Sequence, residues 1–168
     1  MALPRKLKHF NTFLDGESWL GLVPEITLPE LARKMEDYRG GGMEGPVPID
    51  MGQEKLELDF VTSFDARLFR KYGAAKVDAV LLRFAGSWQR DDTAEISAVE
   101  IVTRGRIIKM DAIQAKAGDD SPQKVKMGLS YYKVTVDNQV LLEIDLVNFV
   151  FNVGGEDMLA AHRAALGI

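Results

Sequence analysis

Ala79–Gln89 reads AVLLRFAGSWQ and Ala94–Thr103 reads AEISAVEIVT; further on, Val125–Val136 reads VKMGLSYYKVTV and Val140–Phe149 reads VLLEIDLVNF. These four runs are strand-like, and each pair is separated by a short polar stretch, Arg90-Asp91-Asp92-Thr93 and Asp137-Asn138-Gln139. Asp and Asn tolerate positive φ, so Asp137-Asn138 suits the centre of a tight hairpin turn. Opposite residues of a hairpin share a face. With the first turn centred on Asp91-Asp92, Leu82, Phe84 and Trp88 fall on an apolar face with Val99 and Ile101. The other face carries Ala85, Ser87 and Ala98, with Arg83 directly opposite Glu100, a pair worth about 0.2–1 kcal/mol. With the second turn centred on Asp137-Asn138, Met127, Leu129 and Tyr131 fall with Val140, Leu142, Ile144 and Leu146. Gly128, Ser130, Glu143 and Asp145 take the opposite face. A slip of one residue would exchange the two faces.

Outward from the hairpins, Asp65–Tyr72 predicts a helix with Ser63 or Asp65 as cap, Gly73 as stop, and Leu68, Phe69 and Tyr72 on one side. Glu156–Leu166 predicts a second, opened by Glu156 and Asp157, which suit a helix N-terminus, and ended by Gly167. Met158, Leu159, Ala165 and Leu166 would be its packing residues. Leu31–Arg39 has helical spacing at Leu31, Met35 and Tyr38 behind a capping-box pattern, Thr27-Leu28-Pro29-Glu30, so pattern alone favours a helix there. Gly40–Gly52 (GGGMEGPVPIDMG) holds five glycines and two prolines and reads as a long loop. The fold class is mainly β, a sandwich or barrel with one or two short helices. One domain spans residues 1–168, with a basic N-terminal arm over 1–15 and the Gly/Pro loop over 40–52.

Composition narrows the chemistry. The 168 residues carry a net charge of -4 and no cysteine, which excludes disulfides, thiol nucleophiles and Cys-ligated zinc. A mild negative charge gives no reason for nucleic-acid affinity. Apolar runs such as Val140–Leu142 are far shorter than the roughly 20 residues a membrane helix needs. The N-terminal stretch MALPRKLKHFN lacks the apolar segment of a secretory signal. Gly40, Gly42 and Gly45 spell a dinucleotide fingerprint, but Pro46 and Pro48 follow and no helix opens, so no cofactor is expected. His9 and His162 stand at opposite ends of the chain with no metal-ligand spacing. The aspartate pairs Asp91-Asp92 and Asp119-Asp120 sit in turns, where carboxylates serve the local backbone. No catalytic constellation is present, and the expectation is a protein that is not an enzyme.

Many separate pieces, in order along nearly the whole chain, carry a family resemblance. They begin with Pro4-Arg5-Lys6-Leu7, Asn11, Phe13 and Gly16, then Thr27-Leu28-Pro29 with Leu31, and Arg33-Lys34 through Tyr38-Arg39-Gly40 to Gly42-Met43. Arg83-Phe84-Ala85-Gly86-Ser87, Gln89-Arg90-Asp91-Asp92-Thr93 and Arg104-Gly105-Arg106 follow. Tyr131-Tyr132-Lys133, Val136-Asp137, Glu143-Ile144-Asp145, Asn152-Val153-Gly154, Leu159, Arg163 and Leu166-Gly167 complete the set. The chain resembles the major tail tube proteins of contractile-tailed bacteriophages and of R-type phage-tail-like bacteriocins. Glu30, where such proteins often carry Lys, and the Gly154-Gly155-Glu156-Asp157 turn depart from the pattern.

The resemblance implies a β-sandwich subunit made in the bacterial cytoplasm and assembled with copies of itself into hexameric rings. The rings stack as the inner tube of a contractile tail, a conduit for DNA in a phage or ions in a bacteriocin. Its implied partners are the tail sheath protein and the baseplate and tail terminator proteins; DNA would pass without specific binding, and no membrane is involved. On that reading Arg83, Ser87, Ala98, Glu100, Ser130, Glu143 and Asp145 face the lumen. Arg39, Gly40, Gly41, Gly42, Met43, Pro46 and Pro48 contact an adjoining ring or subunit, and Arg5, Lys6 and Lys8 touch neighbours or the sheath. The resemblance also implies an extended strand over Leu31–Tyr38, the reading adopted over the helical pattern. Two alternatives remain: the tube of a related contractile secretion or injection system, and a small β-barrel binding an apolar ligand.

Overall fold

Both hairpins form, and a computed structural model describes all 168 residues around them. In chain order the elements are β1 (Lys6–Leu14), β2 (Glu17–Ser18), β3 (Glu25–Thr27), β4 (Arg33–Tyr38), β5 (Val47–Gln53), β6 (Leu56–Thr62), α1 (Ala66–Lys71), β7 (Val80–Gln89), β8 (Ile96–Met110), β9 (Gln123–Val136), β10 (Gln139–Asp145), β11 (Val150–Val153), β12 (Glu156–Asp157) and α2 (Ala160–Leu166). The protein is mainly β with two short helices.

The β7–β8 hairpin turns through Asp91–Ala94 rather than through Asp91-Asp92 alone. Ala94 takes φ +59 and Arg90 N donates to Glu95 O. Opposite residues are therefore displaced by two from the sequence register: Phe84 stands opposite Ile101, Leu82 opposite Thr103 and Arg83 opposite Val102. A shift of two keeps every side chain on its expected face. In the β9–β10 hairpin, Asp137 and Asn138 take φ +48 and +65 as the turn requires. The register then slips by one between Val140 and Leu142, so Ile144 stands opposite Tyr132 instead of Tyr131. A second bulge, at Ser130, makes Tyr131 follow Leu129 in the pairing with β8. Each bulge adds one residue to one strand. Together they put Tyr132 in the core and Tyr131 on the opposite face, the reverse of the sequence expectation, and Leu146 lies exposed beyond the strand.

One ten-stranded sheet runs β12-β11-β10-β9-β8-β7-β1-β2, with β6 joining β9 and β3 joining β6. Along β9, Gln123–Leu129 pairs with β6 and Tyr131–Val136 pairs with β10, so the Ser130 bulge marks the point where the partner changes. The two halves enclose one core, in which Leu56, Leu58 and Phe60 of β6 meet Leu82 and Phe84 of β7 and Val125 and Met127 of β9, with Trp19 and Leu68. Where the halves join, backbone meets backbone: a Cβ on Gly105 would lie 2.1 Å from Gly128 O.

Beyond the two hairpins, one local expectation is borne out and others change. Leu31–Tyr38 is extended, with β4 over Arg33–Tyr38, which bears out the strand and sets aside the helical pattern. The long loop shrinks to 39–46, because Val47–Gln53 is β5, paired with β4; its alternation of Val47, Ile49 and Met51 outweighs the glycine and proline content. Most of the arm expected over 1–15 is β1, paired with β7. Glu156 and Asp157 form β12 opposite Val153 and Asn152 rather than opening a helix, and α2 begins at Ala160. The α1 helix forms with Asp65 accepting from Arg67 N at 2.8 Å, but only Leu68 is buried; Phe69 and Tyr72 are exposed. Gly167 ends α2 in the left-handed region, and no α2 residue is buried.

Candidate functional site

Six strands present one continuous polar face, built from rows of directly opposed residues. The central row runs Phe13, Arg83, Val102, Lys133, Glu143, Asn152 from β1 to β11. Beside it run Asn11, Ala85, Glu100 and Thr135 on one flank and Leu81, Arg104, Tyr131 and Asp145 on the other. His9, Ser87 and Ala98 extend the face at its far end. Because side chains alternate along a strand, each row lies on the side of the sheet away from Phe84, Ile101 and Tyr132.

The charged groups here are knitted together. Arg83 Nη1 donates to Glu100 Oε2 at 2.9 Å while its guanidinium stacks 4.1 Å from the Phe13 ring centroid. The pair is diagonal rather than directly opposite. Tyr131 Oη donates to Glu143 Oε1 at 2.9 Å, and Arg104 lies 5.7 Å from the Tyr131 ring centroid. Burial, reinforced by the Glu143 carboxylate, pushes the Tyr131 hydroxyl up to about 12. At Asp145, burial pushes the carboxyl up. Hydrogen bonds from Asn148 and Val147, with Arg104 nearby, outweigh it and hold the group below its ordinary value. Asp145 thereby fixes the turn after β10, with Asn148 Nδ2 donating to its Oδ2 at 2.7 Å.

Of the seven residues expected to share this face, Arg83, Ser87, Ala98, Glu100, Glu143 and Asp145 are brought together on it. Ser130 is not: it sits in the bulge, buried, with its hydroxyl 3.4 Å from Val77 O and Arg104 O. Sequence reasoning missed Arg104, which follows Glu100 and Val102 by simple alternation along β8, and Tyr131 and Lys133, which the two bulges bring onto the face. Their arrival changes its character. Arg83, Arg104 and Lys133 balance Glu100, Glu143 and Asp145, so the face is mixed in charge rather than acidic. A shallow open groove of about 530 Å³ crosses its small-residue end, between His9, Asn11, Ala85, Ser87, Ala98 and Glu100.

The other expected contact residues fall in two places. Arg39, Gly40, Gly41, Gly42, Met43 and Pro46 form the tip of the β4–β5 hairpin, and Pro48 stands within β5 opposite Asp37. The tip is closed by Met43 N donating to Gly40 O at 3.2 Å and Arg39 Nε donating to Met43 O at 3.2 Å. Arg5 and Lys8 are tied to the β7–β8 turn, Arg5 to Glu95 at 3.2 Å and Lys8 to Asp91 at 2.8 Å, while Lys6 stands opposite Gln89. Asp91 and Asp92 are likewise held by Lys8 and Arg90, and Asp119 by Lys116. No group of three His, Cys, Asp or Glu side chains converges as a metal site would require. No helix is long and apolar enough to cross a membrane.

Known proteins place this architecture. A family model described as phage tail tube protein FII matches residues 4–167. The chain is 44% identical over 172 residues to the tail tube protein of Escherichia phage P2, with 100% of each chain covered. It is 40% identical over 161 residues to the major tail tube protein of Serratia phage KSP20, covering 94% of this chain and 92% of that one. Among solved structures it is similar to a sheath/tube terminator of an extracellular contractile injection system, with TM-score 0.60, 9% identity, and 79% of this chain and 97% of the other covered. A sheath-tube complex of the same kind gives TM-score 0.59 at 10% identity, with 79% and 91% covered. The tube-terminating cap of an anti-feeding prophage gives 0.57 at 11%, with 82% and 94% covered. These structural likenesses speak for the fold; the family rests on the sequence matches. The chain belongs to the phage tail tube protein family.

Proposed function

We propose that this protein is a non-enzymatic subunit that closes into rings of six, stacked as the inner tube of a contractile tail, with the six-strand polar face toward the bore. Arg83, Ser87, Ala98, Glu100, Glu143 and Asp145 line the lumen on this reading, joined by Arg104 and Lys133. The observation that carries it is that face itself: one sheet surface buries the core while the other sets charged, polar and small side chains, with Phe13, Leu81 and Val102 among them, in continuous rows. A conduit wall needs such a face, with its charged groups turned toward the water that fills the bore. Balanced ion pairs such as Arg83–Glu100 satisfy each other. They leave little net positive charge to grip phosphate, so DNA would slide past without the counterion-release binding of a basic groove.

The open ends of the sheet, β1 on one side and β11–β12 on the other, are the edges that neighbouring copies would cover, since uncovered strand edges invite pairing. The hairpin tip at Arg39–Met43, with Pro46 and Pro48, would touch an adjoining ring or subunit. Arg5, Lys6 and Lys8 would meet neighbours or the sheath, with Arg5 and Lys8 exchanging their present partners on the β7–β8 turn. Baseplate and terminator proteins would cap the two ends of the tube, and the particle would be built in the bacterial cytoplasm. Electron microscopy of the purified protein tests the reading: hollow tubes or six-fold rings are expected. A protein that stays monomeric at every concentration contradicts it.

A further inference from the structure

The β4–β5 hairpin stands apart from the molecule that carries it. Its strands pair with each other alone, and no other strand or helix packs substantially against them. Val47, Ile49 and Met51 form one exposed apolar row, with Tyr38 opposite Val47. A lone two-stranded ribbon is at best marginally stable in water, and a row of this kind on a free strand edge is a surface built to be covered.

A matching surface lies at the hairpin's own base. β7 accompanies β8 only to the Val80–Gly105 pair, so the flank of β8 over Arg106–Met110 has no partner strand on that side. Bordering this flank, Leu56, Val77, Ile108, Leu129, Leu146 and Val147 line an open, mostly apolar groove of about 300 Å³. Charge agrees with shape. Arg106 at the groove rim has no carboxylate partner, and neither Glu36, which shares the apolar row's face opposite Ile49, nor Glu44 near the tip has a cationic one.

We propose that the groove receives β5 of a second copy of this chain, the Val47–Ile49–Met51 row seating against Ile108, Leu146 and Val147 beside the unpaired β8 flank. Seven extended residues reach about 23 Å, enough to cross to a neighbouring subunit. The donor strand ends at Gln53 and the acceptor groove begins at Lys55–Leu56, so every copy carries the two surfaces side by side. A contact between two different patches is head-to-tail and repeats from copy to copy, closing a ring or extending a stack. The inference deepens the tube reading, resting on it only for the assembly of copies, and it assigns the hairpin's contact to the strand row rather than to its glycine tip.

The chain has no cysteine, so an introduced pair reports without background. In assembled Ile49→Cys/Val147→Cys protein, mild oxidation is expected to give a ladder of disulfide-linked species beyond the dimer, while each single variant gives a dimer at most. Assembled particles with no ladder overturn the proposal. Separately, Ile49→Lys leaves the body of the fold untouched and should raise the concentration needed for assembly at least tenfold, with an unchanged monomer circular dichroism spectrum; unchanged assembly overturns it. If the unmodified protein forms no particles, the tube reading fails by itself. The cysteine pair at high concentration then still decides the contact, a ladder upholding it and its absence overturning it.

Discussion

At the scale of single residues, the mixed face depends on where backbone irregularities fall. Gly105 is the tightest point, because any Cβ there would collide with the Gly128 carbonyl where the two halves of the sheet join. Gly105→Ala is expected to cost roughly 3 kcal/mol by forcing the strands apart, read as a lowered urea midpoint; a loss below about 0.5 kcal/mol would show that β8 and β9 part easily. Tyr131 gives a pH signature. Its hydroxyl is raised in the folded protein from 10.0 to about 12, so the stability it contributes is complete below pH 10 and lost as pH rises toward 12. Tyr131→Phe should flatten part of the stability decline across that window, and an identical decline in the variant would show that Tyr131 is not held as described. These residues also mark how far sequence reading reaches. Arg83 and Glu100 were legible because β7 and β8 alternate without interruption from the turn outward, and Glu143 and Asp145 because they flank the core residue Ile144 on β10. Ser130, Tyr131 and Lys133 were not, because a bulge inverts the faces without any composition change. With two tyrosines in succession, either ring satisfies the core equally well on paper.

Among elements, the legible ones carry their own punctuation. Asp137-Asn138 supplies the positive φ of a hairpin turn, Asp65 caps α1, and Gly167 ends α2. Asp65→Ala should remove about 1 kcal/mol of capping and loosen Arg67, which bridges Asp65 and Glu17 and lies 4.3 Å from the Trp19 ring centroid. Chemical denaturation measures the loss, and a neutral result would mean that Leu68 burial alone holds the helix. The illegible elements are those shaped by partners distant in sequence. β4 has helical spacing, yet it forms a strand because β5 lies alongside, and β5 itself was obscured by Pro48 and Gly52. Pro48 is tolerable there because β5 pairs on one side only. The β12 segment became a strand through Asn152 and Val153, although Glu156 and Asp157 suited a helix start.

For the whole molecule, composition and patterning pointed to a mainly β domain with one oily and one polar sheet face, and the resemblance implied what the residues alone did not, a subunit that repeats. The exposed apolar side chains on β5, around the Ile108 groove and at the C-terminus are surfaces that the proposed assembly would cover. The central claim is that the face bearing Arg83, Glu100, Lys133 and Glu143 looks into a common bore. A cryo-electron microscopy reconstruction of the assembled protein, at a resolution that shows side chains, tests it directly. The account predicts a hollow six-fold tube with those four residues lining the channel; a tube in which they lie on the exterior or between subunits would contradict it.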